Sequence, residues 1–350
     1  MLRRILVLVP VVGCATEPAD PIIPSSATGE LAAWQSVAPL PVARANHCST
    51  GIGDWLLVIG GNHKEAAGFV KTAEIHAARL APDGTLGAWQ LAGTAPSPVT
   101  ECSATSDGTS LFLIDGIYDE EADARQVWTA ALDATGHLGP LTSLGALPEI
   151  VISSEATVRD GELLVMDTRL PAEGDTTVTL RTQLTAPLAW TVDDWGIGFR
   201  AQAQYAFGDK FTFVLGGYRG DTGNPVTAET FVAPAAFAAP RSTQPLPTPT
   251  SFGEAVAVDD WVFVAGGRGQ VFGASGTTTV VAAQHDTDGN LGAWHAVAAL
   301  PMIRTNHELV TVGDFLVLTG GAGDGPGDTT VLTARVRYPT TESGRPSAAQ

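Results

Sequence analysis

The chain has 350 residues, 44% of them hydrophobic and 16% charged, and a formal net charge of −18 at pH 7. That balance supplies a large core but repels phosphate backbones and anionic bilayers, and no Lys/Arg run compensates, so nucleic acid is excluded as a partner. The 39 Gly and 23 Pro indicate many turns between short strands, and so an all-β protein.

The N-terminus reads Met1-Leu2-Arg3-Arg4, then an apolar stretch from Ile5 to Gly13, then Cys14. This is a charged n-region followed by an h-region too short to span a bilayer. Val11-Val12-Gly13-Cys14 resembles a bacterial lipobox, which implies cleavage before Cys14 and a lipid on its thiol; an ordinary cleaved signal with an incidental Cys is the other reading. The expected organisation is a signal peptide over 1–13, a lipidated Cys and Pro-rich flexible tether over 14–29, a folded body over 30–338 and a disordered tail over 339–350. Cleavage removes Arg3 and Arg4 and leaves the mature chain more acidic still. Because Ala15 rather than Asp follows the Cys, the resemblance to lipoprotein sorting signals implies the outer membrane or cell surface. The membrane is then touched only through the lipid.

Internal repeats organise the body. Trp34 is followed after 26 residues by Gly60-Gly61, and the same spacing recurs from Trp89 to Asp115-Gly116 and from Leu141 to Asp167. It returns from Trp190 to Gly216-Gly217, from Pro240 to Gly266-Gly267 and from Trp294 to Gly320-Gly321. Each Gly pair or its substitute ends an apolar run: Trp55 to Ile59, Leu111 to Ile114, Leu163 to Met166, Phe211 to Leu215, Trp261 to Ala265 and Phe315 to Thr319. Such runs suit strands buried on both faces. β-Branched segments follow, among them Thr72 to Ala78, Gln126 to Ala131, Thr176 to Thr182 and Thr278 to Ala283, and read as third strands. Asp83-Gly84 and Asp288-Gly289 supply tight turns into a fourth strand that carries the Trp.

Four strands per period, with a Gly pair after the second and Trp on the fourth, resemble Kelch repeats, which form propeller blades. The resemblance covers about Gly29 to Tyr338 and implies a single six-bladed β-propeller. Asp115, Asp167-Thr168, Leu141 and Pro240 depart from the pattern without disturbing the count. The last copy ends after its third strand, at Val331 to Arg337, so Glu30 to Trp34 is expected to complete the sixth blade and close the ring without a free edge.

In such a blade the connections from fourth to first and from second to third strands open on one face, the usual binding face. Ten residues after the Trp column lie Arg44, Arg200 and Arg304, and three further on lie His47 and His307. Neighbouring columns add Glu101, Glu155, Glu254 and Glu308. Arg44, His47, Arg200, Arg304 and His307 are the expected ligand-binding set, since guanidinium forks match carboxylates and sugars. The competing reading is that the Arg residues pin adjacent loops through backbone carbonyls. Sequence columns contain no coordination geometry, so neither a metal nor another cofactor is assigned. Cys48 and Cys102 occupy nearly equivalent first-strand positions in adjacent blades and are either a disulfide or two buried thiols.

No catalytic constellation stands above these structural readings. The leading expectation is therefore a monomeric, surface-tethered, non-catalytic binding or scaffolding module for a protein or glycan. The alternative is an enzyme resembling the six-bladed periplasmic N-acetylneuraminate mutarotases, which use Arg and Glu around a central pocket. Cys14→Ala should release the protein from membranes. Identical fractionation of variant and wild type, with no acyl chain found by mass spectrometry, would reject the tether.

Overall fold

A computed structural model describes residues 27–338 apart from 67, 115, 117–124, 149–153, 169–175, 186, 221–222, 235–239, 272–275 and 323–326. The leader, Cys14 and the tail from 339 onward lie outside the described residues. Among those described there is no helix, and six four-stranded antiparallel sheets form a six-bladed β-propeller.

Blade I comprises Cys48–Ile52, Trp55–Ile59, Glu74–Arg79 and Gln90–Thr94; blade II comprises Ser103–Ser106, Ser110–Ile114, Gln126–Ala131 and Thr142–Ala146. Glu155–Arg159, Glu162–Thr168, Thr177–Gln183 and Thr191–Asp194 make blade III, and Gln204–Phe207, Phe211–Leu215, Thr230–Pro234 and Arg241–Ser242 make blade IV. Blade V is Ser251–Val258, Trp261–Arg268, Val280–Gln284 and His295–Ala296. Blade VI joins Glu308–Val312, Phe315–Thr319 and Val331–Arg335 to Gln35–Ser36 from the start of the chain, with Gln35 opposite Thr333 and Ser36 opposite Leu332. The apolar runs of the second strands are buried: Leu56 to Ile59, Leu163 and Phe213 are at most 1% exposed.

The closing strand lies one step later than expected. Glu30 to Trp34 is not a strand; Leu31 makes an isolated bridge to Val336, and regular pairing begins only after the Trp. The pattern repeats at Leu86, Leu138 and Leu291, each an isolated bridge ahead of the Trp position. Where the position holds a Trp, its indole N–H turns to a carbonyl of the preceding blade. Trp34 donates to Ala298, Trp89 to Ala38, Trp190 to Ala146 and Trp294 to Gln244, over 2.8 to 3.3 Å.

The Gly pairs do the same work near the axis. Gly61 N–H donates to the Val99 carbonyl, Gly217 to Thr250, Gly267 to Arg304 and Gly321 to Arg44, at 2.8 to 2.9 Å, each bond crossing to the next blade. The first Gly of each pair must be bare. A Cβ on Gly216 would stand 2.2 Å from the Thr250 oxygen, and on Gly320 it would stand 2.6 Å from the Arg44 oxygen. Blade III has no pair: Asp167 and Thr168 continue the second strand, paired with Val178 and Thr177. Its join to blade IV runs instead through Arg159, whose guanidinium donates to the Gly208 carbonyl at 2.6 Å and to the Thr212 hydroxyl at 3.3 Å.

Two glycines separate the clasp from ordinary turn strain, because Gly320 (φ +55°) and Gly313 (φ +56°) share a left-handed backbone while only Gly320 meets a carbonyl. Gly313→Ala should cost about 1 kcal/mol for the left-handed residue, and Gly320→Ala about 2 kcal/mol more for the forced separation of blades. Equal losses in urea denaturation would show that the interblade contact adds nothing.

Candidate functional site

The first strands surround the axis, and the residue two places before the register shared by Cys48, Ser103, Glu155, Gln204, Glu254 and Glu308 adopts a left-handed backbone. Asn46, Glu101, Gln202, Phe252 and Asn306 all have φ between 52° and 58°, one in each blade except III, whose equivalent residue 153 lies outside the described residues. Their peptides link head to tail around the mouth: Glu101 N–H donates to Asn46, Asn46 to Asn306, Asn306 to Phe252 and Phe252 to Gln202, at 2.8 to 3.2 Å. Asn tolerates this conformation, which the paired Arg-x-Asn-His segments reflect; Phe does not, and its cost is an investment in local geometry. Phe252 is held by stacking on Tyr218, with ring centroids 6.1 Å apart, and by the Arg268 guanidinium 3.9 Å above its centre. Neither Arg268 nor Phe252 stood out in the sequence.

Of the expected ligand-binding set, the three arginines turn into their own blades. Arg44, Arg200 and Arg304 are 0%, 4% and 2% exposed. Arg44 donates to the Gly60 and Glu74 carbonyls at 2.9 and 3.0 Å and to His76 Nδ1 at 2.8 Å. Arg200 pairs with Glu229 at 2.5 Å, and Arg304 with Asp328 at 2.9 Å. Each partner precedes or begins a third strand, so the side chains tie the first strand to the third. Burial, partly offset by Glu74, lowers the Arg44 pKa to about 10.

His47 and His307 behave differently and line a small cavity of about 50 Å³ at the mouth, with Asn46, Asn306, Gln202 and Glu101. His47 Nε2 meets the Thr319 hydroxyl at 2.8 Å. Burial lowers both imidazoles to about 3, with Arg44 and His307 adding to the effect at His47 and Arg304 adding to it at His307. Both rings are neutral at physiological pH. Beside them, Cys48 and Cys102 form a disulfide that joins blades I and II, with Cα atoms 5.5 Å apart.

The floor of that cavity is a cluster of three carboxyl groups. Glu155, Glu254 and Glu308 begin or nearly begin the first strands of blades III, V and VI at equivalent registers, opposite Met166, Ala265 and Thr319. Carboxylate oxygens of all three come within 4.8 Å of one another. Burial pushes Glu155 up to about 7. Burial also raises Glu254 well above the ordinary carboxyl value, with the Glu155 charge adding to it. Glu308 also rises through burial, then through Glu155 and Glu254, against one backbone N–H from Ser49. Like charges this close cannot all ionise, so the cluster holds shared protons near neutrality. The three carboxylates carry six oxygens between them, a donor set that suits a hard cation with water completing its shell, and no further described acid, His or Cys joins them.

Beyond the acids the channel widens into a second cavity of about 230 Å³, which reaches the far ends of the first strands at Ser106, Phe207 and Thr311. The arrangement is a channel divided by acids that can both donate and accept a proton, which is the requirement for general acid–base chemistry at one solute.

No family model matches the chain, and no curated protein is similar to it. Among solved structures it resembles that of YjhT, with a TM-score of 0.63 over 85% of this chain and 99% of that one, at 13% identity. At that identity the likeness is one of fold.

The raised Glu155 pKa has a thermodynamic consequence. Folding favours its protonated form, so its contribution to stability is full below the unfolded value of 4.5 and is lost as pH rises through about 7. The two histidines act oppositely, their contribution being lost as pH falls from 6.5 through about 3. Glu155→Gln should leave stability near that of wild type at about pH 4 and raise it by a few kcal/mol at about pH 8. A stability difference independent of pH would show that Glu155 ionises freely in the folded protein.

Proposed function

We propose that this chain is an exported, lipid-tethered isomerase that interconverts the ring forms of a small polyhydroxylated solute at Glu155, Glu254 and Glu308. The observation that carries the reading is the meeting of three carboxyl groups from three blades within 4.8 Å of one another, partly buried where the two channel cavities meet. It favours the catalytic alternative over the binding module, because acids crowded at the end of a cavity hold together the neutral and ionised forms that proton transfer at one solute requires.

The chemistry needs one acid and one base. A neutral carboxyl group protonates the ring oxygen of a cyclic hemiacetal while an ionised neighbour takes the proton of the anomeric hydroxyl. The bond from the anomeric carbon to the ring oxygen breaks as the carbonyl forms, and after rotation the reverse transfers close the ring on the other face. No atom or electron is gained or lost. The collar and the Arg ties hold the first strands, and with them the carboxyl groups, at fixed separations.

The sugar's anomer exchange, followed by NMR magnetisation transfer across a panel of monosaccharides, tests the proposal. The protein should accelerate exchange for at least one of them with a bell-shaped pH profile, since full protonation removes the base and full ionisation the acid. Glu155→Gln should lower that rate by about 100-fold or more. Spontaneous rates throughout the panel, or full activity with all three acids changed to Gln, would reject catalysis.

A docking function has one observation in its favour. A hairpin of Asn62–Glu65 and Gly68–Lys71 carries Phe69 at 67% exposure, an apolar tip suited to a protein partner. Phe69→Ser should leave anomer exchange unchanged and weaken only such a partner.

A further inference from the structure

The two cavities on either side of the acids differ in what they could hold. The upper one is too small for a sugar ring. The lower one, at about 230 Å³, lies just under the roughly 300 to 1,000 Å³ of drug-sized sites and so limits an occupant to about one monosaccharide.

Its lining is divided. Two residues beyond the acid-bearing register, blades I, II and III present Thr50, Thr105 and Thr157, whose hydroxyls have no hydrogen-bond partner among the described residues. Blades V and VI present Val256 and Val310 at the same register, and blade IV adds Phe207. Blades I to III thus line the cavity with hydroxyls, the opposite side mixes hydrocarbon with the Tyr205 and Thr311 hydroxyls, and the acids form its end. A pyranose suits such a lining, with hydroxyls around its edge and C–H bonds on its faces.

Charge decides which pyranose. Among the described residues, neither cavity has a Lys or Arg in its lining. The turns that join first to second strands around the lower opening carry Asp54, Asp107, Asp160, Asp209, Asp259, Asp260 and Asp314, at least one in each blade, against Lys210 in the same set of turns and Arg79 and Arg335 paired with Asp54 and Asp314. An anion approaching from this side meets a ring of acids and then a cluster of carboxyl groups, in a protein of net charge −18.

We infer that the lower cavity is the substrate site and that it takes an uncharged monosaccharide, entering from the face opposite the Arg and His columns with its hydroxyl edge on Thr50, Thr105 and Thr157. This rests on the isomerase reading only for the chemistry that follows binding; the cavity's preference for a neutral sugar stands on its lining.

The test is binding of a panel of neutral aldohexoses and of the corresponding uronic acids, followed by titration calorimetry and by methyl NMR shifts of the protein. At least one neutral hexose should bind, and its uronic acid at least tenfold more weakly. Shifts should centre on Val256, Val310 and Thr157 rather than on residues around His47 and His307. Thr105→Val and Thr157→Val, which keep side-chain volume, should each weaken binding by about fivefold or more, with an unchanged melting temperature showing that the ring is intact. Failure of every neutral hexose to bind, equal or tighter binding of a uronic acid, or shifts confined to the upper mouth would each overturn the inference. Tight neutral binding without faster anomer exchange would support this site and sink the isomerase. Accelerated exchange of an acidic sugar alone would do the reverse.

Discussion

The ring depends on how closely one blade's backbone can approach the next. Gly61, Gly217, Gly267 and Gly321 each place a peptide N–H on a neighbouring carbonyl, and the preceding Gly has no room for a Cβ. A wider separation would lose both the bond and the packing of the buried second strands. The same logic recurs at the periphery, where the tight-turn glycines Gly84, Gly136 and Gly289 lie against the rings of Phe315, Trp55 and Phe211 of the preceding blade. The indole donors complete a third set of contacts. Because the bond from Gly321 to Arg44 belongs to the first of these sets, the seam between blades VI and I is built as the other joins are.

The functional geometry follows from that constraint. With the blades drawn together, the first strands crowd the axis, and the peptides at Asn46, Glu101, Gln202, Phe252 and Asn306 connect into a collar only by taking left-handed backbones. In blades I, IV and VI an arginine then secures the first strand to its own third strand. Three glutamates whose registers agree have nowhere to go but toward one another. Desolvating them costs stability, and with no Lys or Arg among the described lining residues the protein limits that cost by keeping protons on the cluster.

Much of the architecture was legible in the sequence, because a constant 26-residue spacing and six apolar runs follow directly from contacts that every blade must make. The strand boundaries near the Trp positions were less so, since hydrophobic pattern does not reveal that an indole leaves its own strand to cap another blade. At the site, the acids Glu155, Glu254 and Glu308 were visible as neighbours in aligned columns, yet the columns Arg44-Arg200-Arg304 and His47-His307 looked equally eligible. What separates them is side-chain direction. The partners that turn the arginines away, Glu74, Glu229 and Asp328, sit at third strands with no fixed spacing from them. The lower cavity was hidden for a similar reason: Thr50, Thr105 and Thr157 are ordinary strand residues until the ring brings them to one side of a channel.

The central claim is that the axial glutamates share protons at neutral pH. Difference infrared spectroscopy in the carboxylic-acid carbonyl region measures this directly, with the three acids changed together to Gln as reference. The account predicts a protonated carboxyl band that persists at about pH 7 and disappears from the difference only at higher pH. Complete ionisation of all three groups by about pH 5 would contradict it, since they would then titrate as ordinary solvated carboxylates.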